Sequence, residues 1–224
     1  RKGYEQPIET WKTNVIGSIN LLESLRGIKA TCNVLMITTD KVYKNREWLY
    51  GYRESDELGG NDPYSTSKAA MEIAISSWEK SFGYKLPNIN IAVARAGNVV
   101  GGGDWSKDRI IPDSIKSLKN KEKVPVRNPD STRPWQHVLE PLFGYKLLAE
   151  KMYQYSLENK ERKNPFATPF NFGPSLSSNK SVKELVETIL KYWSGDWFSA
   201  KKDSSLKESK LLSLNSEKAF NFLS

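Results

Sequence analysis

Two side chains four residues apart, Tyr64 and Lys68, form the first pair in this 224-residue chain whose types and spacing could do chemistry. On a helix they share one face of the opening turns. An ammonium beside a phenol favours the phenolate and lowers its pKa toward neutrality, which makes a proton-transfer pair. The same spacing arises on any helix with a surface Tyr and Lys, so the surroundings decide. Asp62 suits a helix N-cap, and Pro63 suits the first helical position, where a missing N–H costs nothing. Ala69, Ala70, Met71, Ile73, Ala74, Ile75 and Trp78 then carry the helix through to Phe82, and Gly83 and Pro87 punctuate its end.

Two apolar runs flank this helix. Asn33 to Ile37 reads as a strand buried on both faces, and it ends in Thr38, Thr39, Asp40 and Lys41. Ile89 to Arg95 reads as a second strand, running into Ala96, Gly97, Asn98, Val99 and the glycines 101–103. In open α/β sheets ligands bind at the C-terminal ends of the strands. The order is therefore a strand ending at Thr39, a helix bearing Tyr64 and Lys68, and a strand ending between Arg95 and Asn98.

Several ordered stretches carry a resemblance. They are Thr13 to Gly17, Thr38 to Tyr43, Tyr64-x-x-x-Lys68, Arg95 to Trp105, Arg109 to Asp113, Arg133 to Val138 and Asn171 to Pro174. Together they span nearly the whole chain. The sequence resembles the extended branch of the short-chain dehydrogenase/reductase family and, within it, the CDP-glucose 4,6-dehydratases. The resemblance implies an α/β fold with a Rossmann-like, doubly wound parallel sheet and a smaller substrate-binding region. It implies NAD as cofactor, a nucleotide-sugar substrate, a homodimer or higher homo-oligomer built on the helices Ile8–Leu25 and Pro63–Phe82, and cytoplasmic deoxysugar biosynthesis for lipopolysaccharide O-antigen.

The resemblance also implies roles. Tyr64 is the base for the C4 hydroxyl of the sugar. Lys68 lowers the pKa of Tyr64 and holds the nicotinamide ribose, and Thr39 orients the C4 oxygen. Asp40 protonates the departing C6 hydroxyl, which needs a carboxyl with a raised pKa. Lys41 stands where dTDP-sugar dehydratases carry Glu, and it can remove the C5 proton only if burial depresses its pKa. Thr38, Ala96 and Val99 join Tyr64 and Lys68 around the cofactor. Asn98, Arg109 and Arg133 meet the nucleotide diphosphate, for which the planar fork of Arg133 is well shaped. Asn14 braces the active-site strand from the first helix. An epimerase of the same superfamily would use Thr39, Tyr64 and Lys68 alike but has no need of Asp40 and Lys41.

The family's glycine-rich phosphate loop, G-x-G-x-x-G in its first strand–turn–helix unit, has no counterpart. Gly101 to Gly103 follow the wrong strand and have the wrong spacing. The expectation is a partial sheet whose N-terminal strands are missing and a clipped C-terminus, with residues 1–100 as the back half of the dinucleotide domain and 101–224 as the nucleotide-sugar region. Segments near 130–175 are expected to return to the sheet. An inactive fragment or binding module is then the rival from another class.

At 38% hydrophobic and 27% charged residues the composition is that of a globular chain. No apolar run approaches the ~20 residues that cross a bilayer, and a single Cys and a single His make no zinc site. The net charge of +8 is spread over lysine clusters at 116–123, 160–163 and 201–210, each interrupted by acids, which reads as solvated surface rather than a nucleic-acid footprint. Periodicity further predicts helices over Ile8–Leu25 (apolar face Ile8, Trp11, Val15, Ile19, Leu22), Ile110–Lys119, His137–Glu158 (core Leu139, Leu142, Leu147, Leu148, Met152) and Ser181–Trp193. It predicts strands over Lys123–Arg127 and Thr168–Phe172, a loop over Lys44–Gly60, and a last strand and helix within Leu211–Leu223. His137 reads as structural.

Overall fold

The computed structural model describes residues 2–106, 108–159, 163–175, 178–200 and 211–223. The lysine cluster 201–210 and residues 160–162 of the cluster before it lie outside them. Helices α1 (Lys2–Glu5), α2 (Pro7–Trp11) and α3 (Gly17–Leu25) open the chain, and a π turn at Lys12–Ile16 joins the last two. Strand β1 (Cys32–Ile37) leads through a 3-10 turn, Asp40–Val42, and a long loop into α4 (Pro63–Phe82). Then come β2 (Ile89–Ala96), β3 (Val99–Val100), α5 (Ile110–Lys119), β4 (Val124–Val126), β5 (Thr132–Pro134) and β6 (Gln136–His137). The chain ends with α6 (Leu139–Glu158), β7 (Pro169–Phe172), β8 (Asn179–Ser181), α7 (Val182–Leu190), β9 (Trp197–Ser199) and α8 (Glu217–Leu223).

The central sheet has the order β1-β2-β7, all parallel. Register runs from Cys32 opposite Ile89 to Ile37 opposite Ala94, and Arg95 lies opposite Asn171. Helices cover both faces. On one, Leu22, Leu25, Met71, Ile75 and Trp78 of α3 and α4 pack with Met36, Ile91 and Val93. On the other, Leu148 and Met152 of α6 and Ala219 and Leu223 of α8 pack with Ala92, Ala94, Phe170 and Phe172. The apolar run of β2 is thus that of a strand buried on two faces, whereas β1 is half-buried and its Ile37 is exposed, as befits the outer strand of this three-stranded sheet.

Three two-stranded pairs lie outside this sheet: parallel β3-β6, parallel β4-β9 and antiparallel β5-β8. Trp197 packs with Leu118, Val124, Val126 and Val186, which gives the chain beyond Gly195 its seat as far as Ser199. Loop 44–60 is anchored rather than loose. Tyr43 and Tyr52 stack at 5.1 Å between ring centres, Trp48 stacks on Tyr52 at 5.7 Å, and Leu212 and Leu214 complete the cluster. Leu214 forms a single bridge to Tyr52 in place of the expected last strand.

Two helix expectations need correction. The expected Ile8–Leu25 helix is interrupted by the π turn, in which the Gly17 N–H bonds the Lys12 carbonyl oxygen. The extra residue rotates the helix face, so Leu22 is fully buried while Ile8, Trp11 and Ile16 are exposed. In α6, Leu139 and Leu142 are exposed and the core contacts begin nearer the middle of the helix, at Leu148 and Met152. Pro141 sits in the first turn, where no helical N–H is forfeited.

Candidate active site

The candidate site forms where the C-terminal ends of β1 and β2 meet the N-terminus of α4. The start of α4 is closely specified. The Asp62 carboxylate accepts from the N–H groups of Tyr64 and Ser65, and Ser65 Oγ accepts from the Asp62 N–H, a reciprocal capping box. Gly60 packs so tightly against the backbone of Ser65 and Thr66 that a Cβ there would collide with it. Asn14, in the π turn, donates from Nδ2 to Ser67 Oγ at 2.9 Å. Asn14 therefore braces the helix bearing Tyr64 and Lys68, not the strand that the resemblance implied.

At the end of β1 the Thr38 N–H continues the ladder to the Ala94 carbonyl at 2.8 Å, and Thr38 Oγ1 donates to Glu72 Oε1 at 2.6 Å. Thr39 caps the 3-10 turn, its Oγ1 donating to Asp40 Oδ1 at 2.9 Å. The turn sends Asp40 inward, where it is 3% exposed, and Lys41 outward into solvent. Burial raises the Asp40 carboxyl above the usual carboxylate range, while Lys41, Thr39 and Arg133 oppose this. Gly97 lies against the same carboxyl: a Cβ there would stand 3.1 Å from Asp40 Oδ2 and 3.6 Å from Pro134.

Tyr64 and Lys68 both lie in the first turns of α4, and each has a partner of its own. The Tyr64 phenol is raised above its ordinary value, chiefly by burial, with Thr39 and Arg109 pulling it down and Asp40 pushing it up. The Tyr64 phenol has its hydrogen-bonding neighbour in Thr39. Lys68 Nζ instead donates to the Ile37 carbonyl oxygen at 3.2 Å, and burial lowers its pKa while Glu72 raises it. A helix brings residues i and i+4 to one face, and the long Lys68 stem carries its ammonium on to a carbonyl at the end of β1.

The structure thus gathers Thr39, Asp40, Tyr64, Arg109 and Arg133 within electrostatic reach of one another, with Thr38 and Lys68 beneath. Arg109 precedes α5 in the loop after β3. Ala96 ends β2, Asn98 follows it, and Val99 begins β3, which pairs with β6 and so brings the Arg133–His137 segment to this edge. Lys41 is within electrostatic reach of Asp40, but its side chain is exposed, so the burial on which its role as a base was conditioned is not met. His137 accepts the Leu139 N–H at Nδ1, a capping role.

A buried network below the site was not foreseen. Arg95 and Glu72, each 3% exposed at the side chain, pair through Nε and Nη2, and Arg95 Nη1 donates to Tyr43 Oη at 2.7 Å. Tyr43 donates to Asn171 Oδ1 at 2.7 Å, and Asn171 Nδ2 donates to the carbonyl oxygen of Tyr52. The legible signal was an Arg at the C-terminal end of a mostly apolar strand and a Glu on the inward face of α4, four residues after Lys68.

The donor set suits the nicotinamide end of a dinucleotide. It offers a two-fifths exposed phenol, an ammonium with an N–H to spare, and hydroxyls, all at strand ends. Among the described residues no group of three or more His, Cys, Asp and Glu is placed to hold a metal ion, and no helix is long and apolar enough to cross a membrane.

Comparison with known proteins agrees with this architecture. The chain is 45% identical to a CDP-glucose 4,6-dehydratase of Salmonella typhimurium over 88% of its own length and 54% of that protein's. It is 30% identical to a CDP-paratose 2-epimerase of Salmonella typhi over 84% of its length and 58% of that protein's. The chain therefore spans about half the length of these curated relatives. A crystal structure of a dTDP-glucose 4,6-dehydratase from Streptomyces venezuelae, with NAD bound, superposes with a TM-score of 0.78 at 22% identity. That superposition covers 99% of this chain and 63% of the other, and it shows a shared α/β, Rossmann-like fold. The profile of the NAD dependent epimerase/dehydratase family matches residues 1–156, and with that span including both sheet strands β1 and β2, α4 and the Tyr64/Lys68 pair, the chain belongs to that family.

Proposed function

We propose that the chain is an NAD-dependent nucleotide-sugar 4,6-dehydratase that converts CDP-glucose to CDP-4-keto-6-deoxyglucose in the cytoplasm, for deoxysugar and O-antigen synthesis. The observation that carries this is Asp40: a buried carboxyl with a raised pKa, hydrogen-bonded by Thr39 and close to a phenol. Elimination of water needs a proton donor beside the sugar. An epimerase has no use for one. The choice of the cytidine nucleotide comes from the 45% identical relative.

Arg133, Arg109 and Asn98 receive the diphosphate, the two guanidinium groups giving charge-assisted hydrogen bonds. Thr39 Oγ1 holds the C4 oxygen, and the Tyr64 phenol oxygen takes the C4 hydroxyl proton. Lys68, with Thr38, Ala96 and Val99, holds the nicotinamide ribose and amide. When bound, NAD supplies a hydride acceptor and later a hydride donor. Asp40 gives its proton to the departing C6 hydroxyl, and its burial, which raises its pKa, favours the protonated form that this needs. Lys41 takes the C5 proton once the bound sugar covers it and strips it of water.

The test is to incubate the purified chain with CDP-glucose and NAD and to follow the sugar nucleotide by mass spectrometry. A product lighter by one water supports the reading. An isomer of unchanged mass would replace it with epimerisation, and absence of both turnover and saturable NAD binding would overturn it.

A further inference from the structure

The buried pair below the site does more than fill the core. Glu72 lies one turn after Lys68 on α4, and its two oxygens hold both strands of the site. Oε1 accepts from Thr38 Oγ1 at 2.6 Å and from Arg95 Nε at 3.0 Å, and Oε2 accepts from Arg95 Nε at 3.0 Å and from Nη2. Thr38 is the residue before Thr39. Lys68, on the same helix, donates to Ile37, the residue before Thr38. One carboxylate thereby ties the end of β1, the end of β2 and the helix that presents Tyr64.

We propose that Glu72 is a positioning residue of the active site, its carboxylate holding Thr38–Thr39 in register with α4 and standing one turn from the Lys68 ammonium as its counter-charge. The proposal rests on the dehydratase reading for what Lys68 and Thr39 do, but not for the coupling itself. A charge held with little water around it acts on its neighbours far more strongly than one in solvent. The charged and titratable groups around Glu72 are Arg95 from β2, Lys68 from α4 and, on the far side of Arg95, Tyr43 from the loop after β1. Arg95 is committed to Glu72 and Tyr43, and among charged side chains Glu72 is the one that opposes the effect of burial on Lys68. A purely structural pair could be exchanged for neutral side chains without altering the Lys68 amine. This one could not.

The experiment is competitive acetylation of the full chain across a pH series, with the Lys68 peptide quantified by mass spectrometry. In Glu72→Gln the midpoint for Lys68 is expected to fall by about one unit, while the exposed lysines are unchanged. Because this variant strands Arg95, a second variant, Glu72→Gln with Arg95→Met, removes both charges and is checked for folding by thermal unfolding. It is expected to show the same fall in the Lys68 midpoint. A Lys68 midpoint equal to that of the parent chain in a folded variant would overturn the proposal. If the parent converts CDP-glucose, kcat should drop at least tenfold in the folded variant with the sugar-nucleotide KM unchanged. Failure of turnover in the parent leaves the labelling result intact, so the two readings fail separately.

Discussion

At the scale of single residues the informative contrast is between Asp40 and Lys41. They are adjacent, but a 3-10 turn capped by Thr39 buries the first and exposes the second. For Asp40 the sign of the pH effect follows. A carboxyl whose folded pKa lies above its unfolded value binds an extra proton in the native state between those two values. Its contribution to stability is fully present below the unfolded value, about 3.9, and is lost as pH rises through the folded value. Asp40→Asn removes that penalty. The variant should therefore unfold at a higher temperature than the parent at neutral pH and at nearly the same temperature near pH 3. Product formation should drop about 10²–10⁴-fold, the range for a missing general acid. Calorimetry at the two pH values beside the turnover assay checks both, and a variant less stable than the parent at neutral pH would refute the assignment. Tyr64→Phe should lose activity by a similar factor, about 10²–10⁴-fold, and a modest amount of stability, about 0.5–1.5 kcal/mol, for the hydrogen bond with Thr39.

At the scale of elements, the placement of Tyr64 depends on how α4 begins. Asp62→Ala removes the cap and should cost about 1 kcal/mol, a fall of about 2–4 °C in Tm for a chain of this length. Gly60→Ala drives a methyl into the Ser65–Thr66 backbone and should cost more, about 1–3 kcal/mol, and it should also lower turnover by displacing Tyr64. Thermal unfolding of the two variants ranks them, and equal Tm values would refute the packing argument. This start was readable in the sequence because capping is local: Asp62, Pro63 and Ser65 carry their own reason. So were β1, β2, β7, α5 and the span of α4, whose apolar periods match the surfaces they bury. The π turn was not readable: no apolar period marks the inserted residue, and the bond its Asn14 makes is to Ser67, 53 residues distant in sequence. Nor were β3-β6 and β5-β8, pairs of two or three residues too short for any period to register. The Thr39–Asp40–Tyr64 grouping was legible as types and spacing, whereas the outward turn of Lys41 and the raised phenol depended on burial, which spacing does not carry.

At the scale of the whole molecule, one group of apolar residues that the core leaves outside lies on the first helices. Ile8 is 71% exposed and Ile16 51%, with Trp11 between them, and they line a groove with Pro7, Val15 and the stem of Lys12. Ile73 on the neighbouring α4 is exposed as well. A contiguous apolar patch of this kind marks an association surface, and a two-fold pairing of like helices covers it in both copies at once. The groove lies next to the site's helix, because Asn14 in the intervening π turn is bonded to Ser67 of α4. Trp11→Glu places a carboxylate in the centre of the groove, where pairing would bury it without a partner. Light scattering of the purified chain should then give twice the chain mass for the parent and the single mass for Trp11→Glu, with circular dichroism unchanged. A parent that is monomeric at all concentrations would dispose of the pairing, and a Trp11→Glu variant that stays dimeric would move the interface elsewhere on the surface.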